Sequence, residues 1–195
     1  MKTSRLFLIP VIAALVFTGC KSKKATPLAK QTGEIEVTVP FSTKEYSTDQ
    51  DNFRAKQVGR SPDMATAKKI ALQNAKAEMA GNINSLVKRV TDQYTNQKTV
   101  GNAQDFENKF EEESREVVDL SMSNVTVIGE KIFKEPDGSY TYWTAVQAGK
   151  KDVFDKIDAK ISSDDKLKVD YDKQKFQQIF DAEMKKLSDD QASGK

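Results

Sequence analysis

The feature that most constrains this chain is a ladder of apolar residues four apart: Ala67, Ala71, Ala75, Met79, Ile83 and Val87. Met64, Leu86, Val90 and Tyr94 lie on the neighbouring rows. That spacing gathers the side chains on one face of a helix. The stripe starts thin and ends thick. Alanine lets a helix backbone approach its neighbour closely, so the first half is expected to press on a sheet and the second half to fill a deeper gap. An alanine row can also form a groove for a partner, but core packing is the expectation here. Ser61-Pro62-Asp63 supplies the start, with Ser61 as N-cap, Pro62 at the first helical position and Asp63 against the positive helix end. Gly81 lies inside the pattern, where glycine costs ~1 kcal/mol relative to alanine, and predicts a bend or a close contact.

The sheet that this helix needs is written on both sides of it. Ile35, Val37 and Val39 alternate within 34–39 and Pro40 closes the run, which predicts a first strand. Residues 42–52 are polar loop, and 53–59, ending at Gly59, predict a short second strand. Residues 124–134 and 139–148 form a hairpin joined by Glu135-Pro136-Asp137-Gly138, in which Pro136 pre-sets the turn and Gly138 tolerates positive φ. Strict alternation puts Val125, Val127 and Phe133 on one side and Ile128 and Ile132 on the other. Across the turn, Tyr140, Tyr142 and Val146 alternate with Trp143 and Ala145. Both faces of the hairpin are therefore partly apolar: one suits the long helix, and the other suits the C-terminal helices or a partner. Tyr142 and Trp143 point to opposite faces, so they cannot form one stacking platform; they are core or edge cover by default and candidate interaction residues otherwise.

Helical spacing continues through Phe106, Phe110 and Val117, and again through Phe154, Ile157 and Ile161, where 162–165 interrupt it. Phe176, Ile179, Phe180, Met184 and Leu187 make a last stripe. That stripe is expected to dock back on the domain's own sheet; as a free element it would make Phe180 a candidate contact for another protein. Glu111-Glu112-Glu113 invites a metal reading, but neighbours on a helix diverge by about 100° and cannot converge on one ion, so a solvated face is expected. No metal and no cofactor is expected elsewhere. The chain has no histidine, hence no neutral-pH imidazole base and none of the commonest metal ligand. It also lacks a P-loop, a Gly-x-Ser-x-Gly elbow and a dinucleotide fingerprint. A non-enzyme is expected, two carboxylates facing across a cleft being the remaining catalytic arrangement.

Residues 1–19 read as a secretory leader, with Lys2 and Arg5 followed by the apolar run Leu6 to Phe17. At about a dozen residues the run is too short to span ~30 Å of hydrocarbon. It ends at Phe17-Thr18-Gly19-Cys20, and Cys20 is the only cysteine in the chain. This resembles the lipobox of bacterial lipoproteins, with Phe17 where that motif favours leucine. The resemblance implies diacylglyceryl and amide-linked acyl chains, palmitate among them, on Cys20 after cleavage. Two or more chains anchor stably where a single one is marginal. The alternative is ordinary cleavage that leaves a free thiol. Residues 20–33 carry Lys21, Lys23, Lys24 and Lys30 with Pro27 and Gly33, and read as a flexible tether of up to ~40 Å. The lysines suit anionic head groups or simply a solvated spacer. Of 31 basic and 29 acidic residues, the leader holds two and none, so the rest is balanced at 29 of each. That balance argues against nucleic acid as a partner.

Phe53-Arg54-Ala55 with Gly59 and Ser61, the ladder Ala67, Ala71, Ala75 and Ala80 leading to Ile83 and Val87, and the hairpin residues Tyr140, Trp143, Ala145 and Val146 resemble the LPP-twenty family of bacterial outer-membrane lipoproteins. That family is similar in fold to the N-terminal domain of flagellar assembly protein T. The resemblance covers about 34–147. It implies an α+β domain, a long Ala-rich helix on a small antiparallel sheet, carried by a lipid-anchored envelope protein with no established reaction. The expected organisation is a leader over 1–19, a lipidated Cys20 and tether over 20–33, the α+β domain over 34–149, a helical extension packed on it over 150–187, and a disordered tail over 188–195. The expected role is a non-catalytic envelope module moored through Cys20, facing the periplasm from the outer membrane and binding another envelope protein or glycan. A carrier of a small apolar ligand or lipid, with a void between helix and sheet, is the alternative.

Overall fold

The computed structural model describes residues 37–97 and 101–193. The chain divides into two units, Met1–Val37 and Thr38–Lys195. The second holds all the secondary structure among the described residues. The leader, Cys20, the tether and residues 34–36 of the expected first strand lie outside the described residues. The fold is α+β: in chain order β1 (Asn52–Ser61), α1 (Met64–Gln97), α2 (Ala103–Ser121), β2 (Thr126–Lys134), β3 (Tyr140–Gly149), α3 (Lys150–Ser163) and α4 (Lys173–Ala192), with short 3-10 turns at Lys44–Tyr46 and Met122–Asn124. The sheet is antiparallel with order β1-β3-β2. No helix among the described residues is long and apolar enough to cross a membrane.

The alanine ladder works in two halves. Ala67 and Ala71 are fully buried against Tyr142 of β3, and Gly59 of β1 lies beneath the same turn of helix. Further along, Met79, Ile83, Leu86, Val87, Val90 and Tyr94 enter one continuous core with residues of α2, α3 and α4. Rings fill the wide end. Phe176 has its centroid 5.8 Å from Tyr94, 5.1 Å from Phe110 and 6.2 Å from Phe154. Each such side chain, fully buried, is worth about 1.5–3 kcal/mol, with about 0.5–1.5 kcal/mol more for a well-set ring pair. The helices after residue 150 are thus part of the same core, but α4 packs on α1 rather than on the sheet as expected, because its ring-rich stripe meets the thick end of the ladder, and Phe180 has no exposed surface.

Several local expectations are corrected. Val37–Val39, the described end of the expected first strand, is not strand, and Val37 and Val39 are exposed. The chain turns at Pro40 and carries Phe41 onto the sheet instead. The helix cap is Asp63, whose Oδ1 accepts the Thr66 N–H at 2.7 Å, while Ser61 ends β1. Met64, the first residue of α1, is half-exposed, and the buried row begins one turn later at Ala67. Gly81 is exposed and has nothing within 4 Å of where a Cβ would lie, so it marks no close contact. The tail expected from 188 onward is helix as far as Ala192. Gln191 Oε1 ties it back by accepting the Thr48 N–H at 2.8 Å.

Candidate interaction surface

The hairpin places its two strands in unlike settings. β3 is central, with Tyr142, Thr144, Ala145 and Val146 buried, whereas β2 is an edge strand with no buried residue. A β-bulge decides which side chains β2 exposes. Val127 pairs with Val146 and Gly129 with Ala145, so Ile128 is the extra residue and the alternation flips across it. Val127 and Ile132 therefore share the α1 side of the sheet, and Phe133 points to the outer side with Trp143. The sequence, read with strict alternation, put Val127 with Phe133; one inserted residue reverses that. Val127, Ile132 and Phe133 are 41%, 47% and 46% exposed.

The turn shows its chemistry directly. Gly138 has φ +85, and its N–H donates to the Glu135 carbonyl at 2.9 Å. Asp137 Oδ1 accepts the Ser139 N–H at 3.0 Å, and Arg60 of β1 reaches Asp137 Oδ2 at 2.7 Å. On the outer face, Phe41 and Tyr46 stand over Gly129 with centroids 4.7 Å apart. Lys56 Nζ donates to the Phe41 carbonyl at 2.7 Å. Thr38–Ser42, Tyr46, Lys131 and Phe133 line a cleft of about 320 Å³ beside them.

The two sheet edges differ. Along β1, Thr48 Oγ1 accepts the Arg54 N–H at 3.0 Å and donates to the Arg54 carbonyl at 3.2 Å. Asn74 Nδ2 donates to the Val58 carbonyl at 3.0 Å, and Asp49 exchanges hydrogen bonds with Asn52. Along β2 no described side chain or strand meets the outward backbone of Glu130, Ile132 or Lys134. Beside it, Lys68 Nζ pairs with Glu130 at 2.9 Å and lies 5.6 Å from the centre of the Tyr142 ring. That ammonium holds the Glu130 carboxyl below its usual range, and burial pushes the Tyr142 hydroxyl up.

Of the three residues expected as candidate contacts, two are core. Tyr142 is 3% exposed under α1 and Phe180 is fully buried, so neither can meet a partner. Trp143 remains half-exposed on the outer face, opposite Val58 and Lys131. The edge residues Glu130, Ile132 and Phe133 are exposed by the bulge, and the one sequence signal for it is Gly129, an isolated glycine inside a strand pattern.

The acidic run also differs from a solvated face. Glu111 pairs with Lys88 at 2.7 Å, but Glu113 is buried between Lys109 of its own helix and Lys160 of α3, the latter at 3.0 Å. Those hydrogen bonds pull its carboxyl below the ordinary value. Glu183 on α4, 2% exposed, accepts from Arg89 Nε at 3.1 Å, from Gln93 and from Lys186. Burial pushes its carboxyl up, and these three partners outweigh it and bring it down. Asp158 accepts from Tyr171 at 2.9 Å and Lys173 at 2.6 Å, and burial together with that carboxylate drives the Tyr171 hydroxyl far up. Each of these clusters ties one helix to another. Among the described residues no group of three potential ligands could hold a metal. A cleft of about 340 Å³, lined by Asn124, Ala148, Asp152, Val153, Asp155 and Lys156 among others, is open to solvent and mixed in polarity. The chain matches no family model, no curated protein and no solved structure.

Proposed function

We propose that this chain is a non-catalytic, lipid-anchored protein of a bacterial cell envelope, moored through Cys20 to the periplasmic side of the outer membrane. Its domain is a binding module whose docking surface is the outer edge of the hairpin. The observation that carries the binding-module reading is the contrast between the sheet edges: β1 is covered by Asp49, Thr48 and Asn74, while among the described residues nothing covers the β2 backbone, which is flanked by exposed Val127, Ile132 and Phe133. An uncovered edge with apolar side chains recruits an extended segment by strand addition. The resemblance to LPP-twenty lipoproteins supports the envelope setting and the α+β architecture. The buried carboxylates support a non-catalytic role, since Glu113 and Glu183 are engaged by cations and held low rather than raised as general acids.

Two measurements test this. Intact mass of the protein from envelope fractions, with labelled palmitate, reads the anchor; a product that begins at Cys20 without acyl mass ends the lipoprotein reading. A photo-crosslinking residue at Phe133 reads the docking surface, with Phe180 as the buried control. Adducts are expected at Phe133 and none at Phe180, and their absence at both removes the binding-module reading.

A further inference from the structure

We propose that the edge of β2, uncovered among the described residues, is a two-fold interface for a second copy of this chain, with Ile132 against Ile132, Glu130 against Lys134 and Lys131 against Phe133. The inference rests on reading the β2 edge as an interaction surface; it does not rest on the lipid anchor.

The hairpin fixes which backbone groups are free. Glu135 N–H donates to the Ser139 carbonyl at 2.8 Å, so this pair is hydrogen-bonded across the strands. Bonded and non-bonded pairs alternate along an antiparallel ladder. Lys134–Tyr140, Ile132–Tyr142 and Glu130–Thr144 are thus the non-bonded pairs of the register. Glu130, Ile132 and Lys134 therefore turn their N–H and C=O groups away from β3. Their side chains lie on the α1 side of the sheet.

Geometry and charge then select one register. If a second β2 continues the sheet about a two-fold axis normal to it, α1-side residues must oppose α1-side residues. The bulge at Ile128 and the absence of an N–H at Pro136 confine pairing to 129–134. Centring on Glu130 opposes two carboxylates, and centring on Lys131 opposes two ammonium groups. Centring on Phe133 leaves three residues in the ladder. Centring on Ile132 opposes Glu130 to Lys134 twice, sets Lys131 beside Phe133 twice, and closes about six backbone hydrogen bonds. Opposite charges across strands stabilise and like charges destabilise, and a lysine over a phenylalanine ring is a favourable contact.

Lysines on an edge strand ordinarily repel a stray strand. Here Lys134 finds its complement in a second copy, so the same residue that rejects a neutral strand admits its own. The result is a six-stranded sheet with order β1-β3-β2-β2-β3-β1. α1 packs mainly on β1 and β3, which leaves the paired β2 strands room between two helices on the same side.

The test uses the full chain with Cys20→Ser, which removes its only native cysteine, held in mild detergent. In the proposed register 131 faces 133 of the other copy as a non-bonded pair, with Cα atoms about 4.5 Å apart, inside the disulfide range of about 4.4–6.8 Å. Mild oxidation of a mixture of Lys131→Cys and Phe133→Cys chains is expected to give the mixed disulfide, and neither chain alone a disulfide with itself. In sedimentation equilibrium, Glu130→Lys or Lys134→Glu raises the dimer dissociation constant about tenfold, and the double swap restores it, which a purely structural role for either residue would not do. A monomer at all concentrations, a Lys131→Cys chain that crosslinks to itself, or a double swap no better than the singles overturns the proposal. If any of these occurs while the Phe133 photo-crosslink captures a different envelope component, the dimer falls and the docking surface stands.

Discussion

A methyl group on Gly59 would lie 2.4 Å from the Ala67 carbonyl oxygen, and as close to the Ala71 backbone nitrogen. The strand and the first turns of α1 touch through backbone, which is what the small end of the ladder allows. Gly59→Ala has nowhere to place its carbon without parting helix and sheet, and is expected to cost about 3 kcal/mol. Gly81→Ala meets nothing within 4 Å and is expected to stabilise by about 0.5–1 kcal/mol, because its methyl costs no packing and removes backbone freedom from the unfolded chain. Urea unfolding followed by circular dichroism reads both; effects of the same sign would contradict the packing described.

Sequence periodicity made the long helix, the hairpin and the C-terminal stripes legible because each repeats one physical requirement many times. Ala67 to Val87 repeat the helix spacing five times over, so one ambiguous position such as Met64 does not alter it. What escaped rests on single residues. The bulge at Ile128 inverts which side chains of β2 face outward, and its only mark is the single glycine at 129, which a close backbone approach would equally explain. Asp63 rather than Ser61 caps α1, both being able to accept the N–H in question. Glu113 and Glu183 are buried because a lysine or arginine from another element reaches them, a relationship between positions far apart in sequence. The proposed docking surface is legible only as a hairpin with two apolar faces; that Tyr142 is covered and Ile132 exposed follows from α1 packing on β1 and β3 rather than on β2.

Tyr94 joins α1 to the start of α4. Its hydroxyl donates to the Asp170 carbonyl at 2.7 Å and accepts the Asp172 N–H at 2.7 Å, just before Asp172 caps α4. Tyr94→Phe keeps the ring among Phe106 and Phe176 but removes a partner from two backbone groups next to a fully buried residue. A loss of about 1–3 kcal/mol is expected. Hydrogen exchange should quicken first at 170–176, while α1 keeps its protection; uniform acceleration would mean that the hydroxyl does not hold this junction.

The Glu183 cluster makes stability depend on acid. Its carboxyl is held below the ordinary glutamate value in the fold by Lys186, Gln93 and Arg89 against the opposing effect of burial. A group with a depressed folded pKa stabilises above its unfolded value and ceases to do so as the pH falls through its folded value. Stability contributed by Glu183 is therefore present at neutral pH and lost below about pH 4.5. Glu183→Gln is expected to cost about 1–2 kcal/mol at pH 7 and progressively less toward pH 3, so that the two unfolding curves converge in acid. Parallel curves over that range would show that the carboxylate charge carries no stability.

Phe41 is held in a left-handed backbone conformation, φ 61, the only positive φ of a non-glycine residue among the described residues. Such a conformation costs a bulky residue about 1–2 kcal/mol, and burial of the ring over Gly129 offsets it. The ring needs Gly129 to be bare: a Cβ there would stand 2.6 Å from Phe41 Cε1 and 3.1 Å from Tyr46 Cε1. Gly129→Ala alone should lose about 2 kcal/mol by lifting Phe41 off the sheet, and Phe41→Ala alone about 3 kcal/mol by emptying the site. Together they should cost less than their sum by about 1–2 kcal/mol, because the alanine at 129 then has mainly the movable Tyr46 ring to meet. A double-mutant cycle in chemical denaturation measures that coupling, and strict additivity would mean that the ring does not rest on Gly129 in solution.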